Sequence, residues 1–343
     1  MNTRTAGMDV ATTGTGLLGI EVIEPELAAS VRASLSQVET ALRTAVADAD
    51  PLVGSAASHL VEAGGKRFRP LLALLAANFG NPETPTVVQA AVVAELTHLA
   101  TLYHDDVMDE APVRRGAPSA NARWTNTIAI LTGDYLFARA SDLVADLGPD
   151  AVRLQARTFA RLVTGQIRET AGPIDGADEV GFHLHVLAEK TGSLIATSAR
   201  FGALFSGCGP AITETLTAYG EEIGVAFQLS DDLLDIASTS AESGKTPGTD
   251  LREGVPTLAV LHALAGEDPA EARLRELISQ PIQDDVEVAE ALELLRVSPA
   301  MSTAQATLGA YAQRARDLLT TLPDVPARRA LEALTHYVVD RSS

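Results

Sequence analysis

The sequence is short of cysteine and of positive charge. Its 343 residues include one cysteine, Cys208, which excludes an internal disulfide bond and suits a reducing compartment. Aspartate and glutamate outnumber lysine and arginine by 45 to 26, which gives a formal net charge of −19. A nucleic-acid-binding protein needs basic surface to neutralise phosphates, so this composition argues against that class of function.

The sequence also lacks the features of an exported or membrane-anchored chain. Residues 1–22 contain no charged segment followed by a continuous apolar one, and we interpret them as a flexible tail and not as a signal peptide. No uninterrupted apolar run approaches the roughly 18 residues that a membrane span requires. We therefore expect a soluble, cytoplasmic protein without a membrane anchor.

Lysine is scarce among the basic residues, and its positions are informative. The lysines are Lys66, Lys190 and Lys245, and every other basic residue is arginine. A coding preference for arginine explains the scarcity, but it does not explain why each lysine lies beside glycine or threonine near a predicted helix end. Because an ammonium group can approach phosphate oxygens from varied angles, we predict that these lysines bind anions.

Helical periodicity extends through most of the chain. Apolar residues recur at spacings of three and four in segments 25–49, 85–109 and 213–237, and alternating strand patterns with hairpin turns are missing. No change in composition marks a linker between domains. The sequence thus predicts an all-α fold with a single domain, residues 23–343, after the tail of residues 1–22.

Two acidic segments share one pattern, Asp-Asp-x-x-Asp. They are HDDVMDEA at 104–111 and SDDLLDIA at 230–237, each at the C-terminal end of a predicted apolar helix. In each segment the first and last aspartates are four residues apart, so their carboxylates project from one face on successive turns. Like charges at this spacing repel each other, and they lie at the negative end of the helix dipole. Helix stability therefore cannot explain them, and a cationic partner must offset their charge.

The residue types favour Mg²⁺ as that partner. Carboxylate oxygens are hard ligands, and Mg²⁺ commonly bridges carboxylates to phosphates. Zinc would need nitrogen or sulfur ligands, and His104 points to a different face of its helix from the carboxylate pair. One such motif is also typical of a solvated acidic helix end, but two copies on apolar helices favour a site. The pattern predicts two acidic walls with magnesium between them, and lysines and arginines closing over a diphosphate.

These motifs resemble those of the all-trans (E) polyprenyl diphosphate synthases, which have the isoprenoid synthase fold. The shared motifs extend from about residue 50 to 262 and are, in chain order, GGKRFRP, HDDVMDEAPVRRG, GDYLFARA, KTG, FQLSDDLLD and GKTPGTDLREG. Within the family, the chain is most similar to actinobacterial medium- and long-chain enzymes. The resemblance implies a bundle of long helices around a deep central cavity.

The resemblance also implies a role for each residue that matches a family motif. Isopentenyl diphosphate would be held by Lys66, Arg69, His98 and Arg115. The allylic diphosphate would be held by Arg114, Lys190, Thr191, Gln228 and Lys245, of which Lys190, Thr191 and Gln228 would also take part in catalysis. The magnesium ligands would be Asp105, Asp106, Asp109 and Asp231, with Asp232 and Asp235 completing the second motif.

The reaction that the resemblance implies is a prenyl transfer with Mg²⁺, about three ions per site when a diphosphate is bound. An allylic diphosphate ionises, the double bond of isopentenyl diphosphate attacks the carbocation, and a proton is lost. Charge develops on the departing diphosphate, so preorganised cations act where stabilisation is largest. The family also implies a homodimer, and a long lipid product implies transient contact with a membrane.

Product length is predicted from small residues that precede Asp105. One helical turn rises about 5.4 Å, close to one extended isoprene unit, so residues one and two turns before Asp105 should line the space into which the product grows. These residues are Thr97, Ala100 and Thr101. In the family, bulky aromatic residues at the nearer positions stop growth early, so we expect an all-trans product of seven or more units.

Two positions depart from the family pattern. Val255 replaces a lysine that is common in relatives, which bears on the strength of allylic diphosphate binding. Ala259 replaces a common proline, without a clear functional meaning. Neither change touches the aspartates.

Two other functions share parts of the pattern. A class I terpene cyclase also uses an aspartate-rich helix and magnesium, but its second motif mixes other residue types. Cyclases also surround cations with aromatic rings, whereas aromatic residues make up 4% of this chain. A non-catalytic subunit of a heteromeric synthase would have lost aspartates that both motifs retain here.

Overall fold

The computed structural model describes residues 24–48, 50–237 and 247–341, together with two dipeptide strands nearer the N-terminus. These strands, β1 (Gly16–Leu17) and β2 (Ile20–Glu21), pair antiparallel within the predicted tail. The second strand contacts the last helix of the chain.

The rest of the described chain is almost entirely helical. The first helices are α1 (Pro25–Val46), α2 (Pro51–Glu62), α3 (Phe68–Ala77) and α4 (Pro85–Met108). A hairpin of β3 (Val113–Arg114) and β4 (Ala117–Pro118) follows. The middle helices are α5 (Ala120–Arg123), α6 (Asn126–Ala145), α7 (Pro149–Ala171), α8 (Glu179–Leu187), α9 (Ser193–Phe205) and α10 (Pro210–Ala237). The last are α11 (Thr249–Glu253), α12 (Leu258–Ala265), α13 (Ala272–Ile278), α14 (Asp285–Val297), α15 (Pro299–Leu319) and α16 (Pro326–Asp340).

The helix boundaries follow local sequence signals. Proline occupies the first turn of α1, α2, α4, α7, α15 and α16, where its missing N–H group costs no hydrogen bond. The predicted helical segments 25–49, 85–109 and 213–237 correspond to α1, α4 and α10. The all-α prediction is therefore confirmed.

Helix α4 lies in the core and packs against α3, α6 and α9. Leu96, Leu99 and Tyr103 are completely buried, and the Tyr103 hydroxyl donates a hydrogen bond to the Ala56 carbonyl of α2 at 2.5 Å. By length and composition α4 could cross a membrane, but 67% of its most apolar window is buried. The core helix of a globular protein shows the same properties.

Helix α10 packs closely against α9, and also against α15 and α16. A Cβ atom on Gly220 would lie 2.6 Å from Ala196 Cα, and one on Gly224 would lie 2.8 Å from Gly192 Cα. Only glycine allows this approach. Because α9 also packs against α4, it links the two helices that carry the aspartate motifs.

Candidate diphosphate and metal site

The first aspartate motif lies at the C-terminal end of α4. Asp106 is buried and accepts hydrogen bonds from Arg114 Nε at 2.6 Å and from the Ala120 backbone N–H at 3.4 Å. Arg114 Nη2 also lies 3.6 Å from Asp109 Oδ2. The Asp105 side chain forms no hydrogen bond or ion pair with the described residues. Protein contacts thus engage Asp106, whereas Asp105 keeps both carboxylate oxygens for a ligand.

The second aspartate motif lies at the C-terminal end of α10, and different elements contact its carboxylates. The contacts join Asp231 Oδ1 to Arg341 Nη1 at 2.8 Å, Asp232 Oδ1 to Gln228 Nε2 at 2.9 Å, and Asp235 Oδ2 to the Asp250 backbone N–H at 3.0 Å. These partners come from the end of α16, from α10 itself and from α11. The orientation of this motif therefore depends on the C-terminal third of the chain.

Glu169 on α7 and Lys190, which lies just before α9, affect the pKa values of aspartates in the two motifs. Burial raises the pKa of Asp105 to about 6, and the Lys190 ammonium opposes this shift. Burial raises the pKa of Asp232 to about 7, and the hydrogen bond from Gln228 opposes it. The Glu169 carboxylate adds to both pKa shifts, and it pairs with Lys190 Nζ at 2.5 Å. The Glu169–Lys190 pair therefore lies close to both acidic walls.

Lys190 and Thr191 lie in a π-helical turn, Ala188–Gly192, between α8 and α9. Such turns are frequent at functional sites. Thr191 Oγ1 donates a hydrogen bond to Gln228 Oε1 at 3.3 Å. A Cβ atom on Gly165 would lie 2.8 Å from the Lys190 backbone nitrogen, so a larger residue would push α7 away from the turn. The fold thus brings together the three residues that the sequence predicts for catalysis.

Three of the four residues predicted to hold isopentenyl diphosphate, Arg69, His98 and Arg115, form a cluster beside the first motif. Burial lowers the pKa of His98 well below its usual value, and the charges of Arg69 and Arg115 lower it further, so His98 is neutral at pH 7. Burial lowers the pKa of Arg69 to about 10, and its Nε atom is buried without a hydrogen-bond partner among the described residues. Lys66 is exposed on the loop that leads into α3. Adjacent guanidinium groups with an unused donor suit a diphosphate.

Arg115 and Arg67 are both fixed by protein contacts, but in different ways. Arg115 Nη1 donates to the Leu60 carbonyl at 3.1 Å and also to the Gly64 carbonyl, so uncharged oxygens hold it and its charge stays available. Arg67 pairs with Glu39 at 2.5 Å and with the buried Glu95 at 3.1 Å, and these carboxylates neutralise it. Arg67 is therefore structural, although it lies in the same motif as Lys66 and Arg69.

The residues predicted to set product length lie along α4. Thr97 and Ala100 are buried, and Thr101 is partly exposed. Thr97 Oγ1 accepts a hydrogen bond from Gln155 Nε2 at 3.2 Å, so α7 lies next to this part of α4. Lys245, which the sequence places on the allylic side, lies outside the described residues.

Sequence reasoning missed three charged residues near the motifs. They are Glu169 on α7, Glu253 on α11 and Arg341 after α16. Burial raises the pKa of Glu253, and the Asp109 carboxylate adds to that shift while Arg114 opposes it, so Glu253 lies close to the first motif. Glu253 lies within the motif GKTPGTDLREG, although the motif assigned it no role. No repeated pattern surrounds Glu169 and Arg341, and only the packing of distant helices brings them to the site.

The donor set fits Mg²⁺ held jointly by protein and diphosphate. Among the described residues, no three histidine, cysteine, aspartate or glutamate side chains are close enough together to hold a metal ion by themselves. Mg²⁺ is usually bound by one or two carboxylates plus substrate phosphates, which is the arrangement that Asp105 and the second motif allow. His104 lies against α6, with Nε2 3.2 Å from the Ile130 carbonyl, so it is directed away from that donor set.

The raised pKa of Asp232 predicts how the stability of the metal-free protein varies with pH. The folded protein holds a proton up to about pH 7, whereas the carboxyl in the unfolded chain loses it near pH 4. The free energy of unfolding should therefore rise as the pH falls from about 8 toward 5. Asp232→Asn keeps an acceptor for Gln228 and removes this ionisation. Thermal denaturation should show the variant more stable than wild type at pH 8, with a smaller difference at pH 5.

Asp150→Asn is the matched control, because Asp150 is 91% exposed on the first turn of α7. It should follow the wild-type pH dependence. Equal stability of Asp232→Asn and wild type at both pH values would contradict the buried, raised pKa.

Comparison with protein families and curated sequences gives a consistent result. The family model described as polyprenyl synthetase matches residues 50–295. The chain is 53% identical over 331 residues to nonaprenyl diphosphate synthase of Mycobacterium tuberculosis, covering 96% of this chain and 99% of that protein. It is 38% identical over 310 residues to heptaprenyl diphosphate synthase component 2 of Geobacillus stearothermophilus, covering 90% and 95%.

Solved structures show the same architecture. Geranylgeranyl pyrophosphate synthase from Corynebacterium glutamicum, crystallised with calcium and isoprenyl diphosphate, matches with a TM-score of 0.84 and 45% identity, covering 94% of this chain and 100% of that one. Polyprenyl synthase from Caulobacter crescentus, also with calcium and isoprenyl diphosphate, matches with a TM-score of 0.85 and 32% identity, covering 92% and 97%. The similarity therefore extends over nearly the whole length of these proteins.

Proposed function

The chain belongs to the polyprenyl synthetase family and is a prenyltransferase, and on this basis we propose its substrates, metal and product. It condenses isopentenyl diphosphate with an allylic diphosphate and releases an all-trans polyprenyl diphosphate of seven or more isoprene units. The isoprenoid synthase fold predicted from the motifs is confirmed by the structural neighbours.

The observation that carries this proposal is the position of the Glu169–Lys190 ion pair near both acidic motifs. The Lys190 ammonium group lies near the first motif and is now paired with Glu169, and a diphosphate that shares its negative charge with metal ions could take the place of that carboxylate. The basic cluster of Arg69 and Arg115 around the neutral His98 offers a second anion site beside the first. Two adjacent diphosphate sites are what a condensation of two diphosphates requires.

The residues of the chain bind and orient the reacting groups. Lys190 stabilises the diphosphate as the bond between C1 and oxygen of the allylic substrate breaks. The hydrogen-bonded side chains of Thr191 and Gln228 direct their dipoles toward the carbocation. Carbon 4 of isopentenyl diphosphate forms the new carbon–carbon bond, and the departing pyrophosphate accepts the proton that carbon 2 loses.

Magnesium, when bound, supplies Lewis-acid stabilisation of the leaving diphosphate. The residues that would hold it directly or orient its ligands are Asp105, Asp106, Asp109, Asp231, Asp232 and Asp235. Among them Asp105 is the carboxylate without a protein partner in the described chain, and Asp106 is the most engaged.

Metal and diphosphate should bind together and not separately. Because the carboxylates do not form a complete site by themselves, Mg²⁺ alone should bind weakly to the purified protein. Inorganic pyrophosphate should raise the apparent Mg²⁺ affinity by at least about tenfold, since each ligand completes the site of the other. Isothermal titration calorimetry with and without pyrophosphate measures this coupling. Equally tight Mg²⁺ binding in both titrations would contradict a site completed by diphosphate.

An incorporation assay tests the proposed reaction. Purified protein, Mg²⁺ and labelled isopentenyl diphosphate should yield a solvent-extractable labelled product only when an allylic diphosphate is added. Hydrocarbon formed from the allylic diphosphate alone would indicate a cyclase. Product formed only after addition of a second polypeptide would indicate a subunit of a heteromeric synthase.

We propose that the functional protein is a cytoplasmic homodimer that contacts a membrane transiently as its lipid product leaves. The apolar side chains of Ile130 and Leu131 on α6 are 43% and 57% exposed, and an interface between copies of the chain would cover them. Light scattering coupled to size-exclusion chromatography should give twice the mass of one chain.

A further inference from the structure

Arg341 follows the last helix, α16, yet its side chain is held firmly against α10. Its Nε donates to Ser230 Oγ at 2.9 Å, and its Nη2 donates to the Phe227 carbonyl at 2.8 Å. The guanidinium group also lies 4.3 Å from the centre of the Phe227 ring. The side chain is 9% exposed, so its positive charge is fixed in position and largely removed from water.

The remaining arm of this guanidinium group reaches the second aspartate motif. Arg341 Nη1 lies 2.8 Å from Asp231 Oδ1, and the Asp231 side chain is 42% exposed. The Nη1 atom is buried. Its distance to Asp231 Oδ1 is that of an ion pair, but the angles of the contact do not meet those of a hydrogen bond. The contact therefore attracts one carboxylate oxygen and leaves the other free to coordinate a ligand.

The ion pair between Arg341 and Asp231 offsets the repulsion among the carboxylates of the second motif. Asp231, Asp232 and Asp235 lie within five residues on one helix, and their like charges repel. Gln228 donates a hydrogen bond to Asp232, and the Asp250 N–H donates one to Asp235. Arg341 brings a full positive charge to the motif, and its hydrogen bonds to Ser230 Oγ and the Phe227 carbonyl fix where that charge lies.

Arg341 also links the second motif, through aromatic contacts, with the basic cluster that contains Arg69. The Phe227 ring on which it stacks lies 4.5 Å, centre to centre, from the ring of Phe68. Phe68 begins α3 and immediately precedes Arg69. A displacement of Arg341 would therefore disturb the second motif directly and the start of α3 through one aromatic contact.

We propose that Arg341 is a positioning residue that orients the Asp231 carboxylate for the joint binding of divalent metal and diphosphate. This inference rests on the proposed function of the site. The C-terminal helix, which lies beyond the family motifs, thus contributes to substrate affinity through a single side chain. Partners that orient metal ligands commonly contribute 10- to 100-fold to metal affinity, so we expect an effect of at least about tenfold.

The test compares Arg341→Met with a matched variant on the same helix, Arg329→Gln. Arg329 pairs with Glu24 and Asp324 at the other end of α16, so its replacement also removes ion pairs of the terminal helix. Calorimetric titration of inorganic pyrophosphate in the presence of Mg²⁺ should give an affinity at least about tenfold weaker for Arg341→Met. The Arg329→Gln protein should match wild type. In steady-state assays Arg341→Met should raise KM for the allylic diphosphate more than it lowers kcat.

Two further variants keep the inference testable if Arg341→Met fails to fold. Arg341→Lys retains the charge without the planar fork and should recover part of the affinity. Ser230→Ala removes the acceptor for Nε but leaves the charge and should give an intermediate loss. Unchanged or tighter pyrophosphate binding in a folded Arg341 variant would overturn the inference. If wild type forms no polyprenyl product at all, the proposed function fails instead, so the two failures are distinguishable.

Discussion

Asparagine in place of Asp105 is expected to lower kcat about 100- to 1,000-fold, with no change in fold and no loss of stability. The Asp105 carboxylate has no protein partner among the described residues, so its removal breaks no internal contact. The substitution removes a negatively charged metal ligand close to where negative charge develops on the leaving diphosphate. Initial rates at saturating substrates, together with a thermal denaturation curve, measure both expectations.

Glu110→Gln is the matched control for this prediction. Glu110 lies five residues after Asp105 in the same acidic segment and is exposed. Its backbone is in the left-handed region, which glutamate and glutamine adopt at the same cost. We regard it as outside the site and expect wild-type kcat. Equal losses in the two variants would mean that the segment matters for its overall charge and not for a metal site at Asp105.

Phenylalanine in place of Ala100 should shorten the product from seven or more isoprene units to about four or fewer. Ala100 is buried on α4, about a turn and a half before Asp105, and the larger ring would occupy the space into which we predict that the product grows. Thr101→Phe should act in the same direction. Reversed-phase chromatography and mass analysis of the dephosphorylated products give the chain lengths.

Thr101→Val provides the control for product length, because valine matches threonine in size and shape. Its product distribution should equal that of wild type, since the lost hydroxyl only bonds to the His98 carbonyl of its own helix. Overpacking at Ala100 costs about 1–3 kcal/mol, so the thermal stability of Ala100→Phe should be measured alongside. An unchanged product distribution in a folded Ala100→Phe protein would exclude this part of α4 as a limit on chain length.

The parts of the site that depend on local spacing could be predicted from the sequence. Two aspartates four residues apart on a helix must share a face, and this holds for any packing of the helix. The scarcity of lysine indicated Lys190, whose ammonium group acts on the Asp105 and Asp109 carboxylates of the first motif. Thr191 and Gln228 were assigned by resemblance, and they form a hydrogen bond.

The parts that depend on packing between distant helices could not be predicted. Glu169 follows no acidic pattern, and Arg341 lies 110 residues beyond Asp231 in the chain, so only the three-dimensional fold reveals them. For Arg114, a role assigned from the sequence differs from the contact seen in the structure. The resemblance assigns it to the allylic diphosphate, whereas its nearest contact in the structure is the buried Asp106, which it neutralises.

Mass analysis of the products of purified wild-type protein tests the central claim most directly. With Mg²⁺, isopentenyl diphosphate and an allylic primer, the protein alone should form all-trans polyprenyl diphosphates of seven or more units, and omission of any one component should abolish them. A product of six units or fewer would contradict the proposed chain length. A cyclic hydrocarbon formed without isopentenyl diphosphate, or no product without a second polypeptide, would contradict the account as a whole.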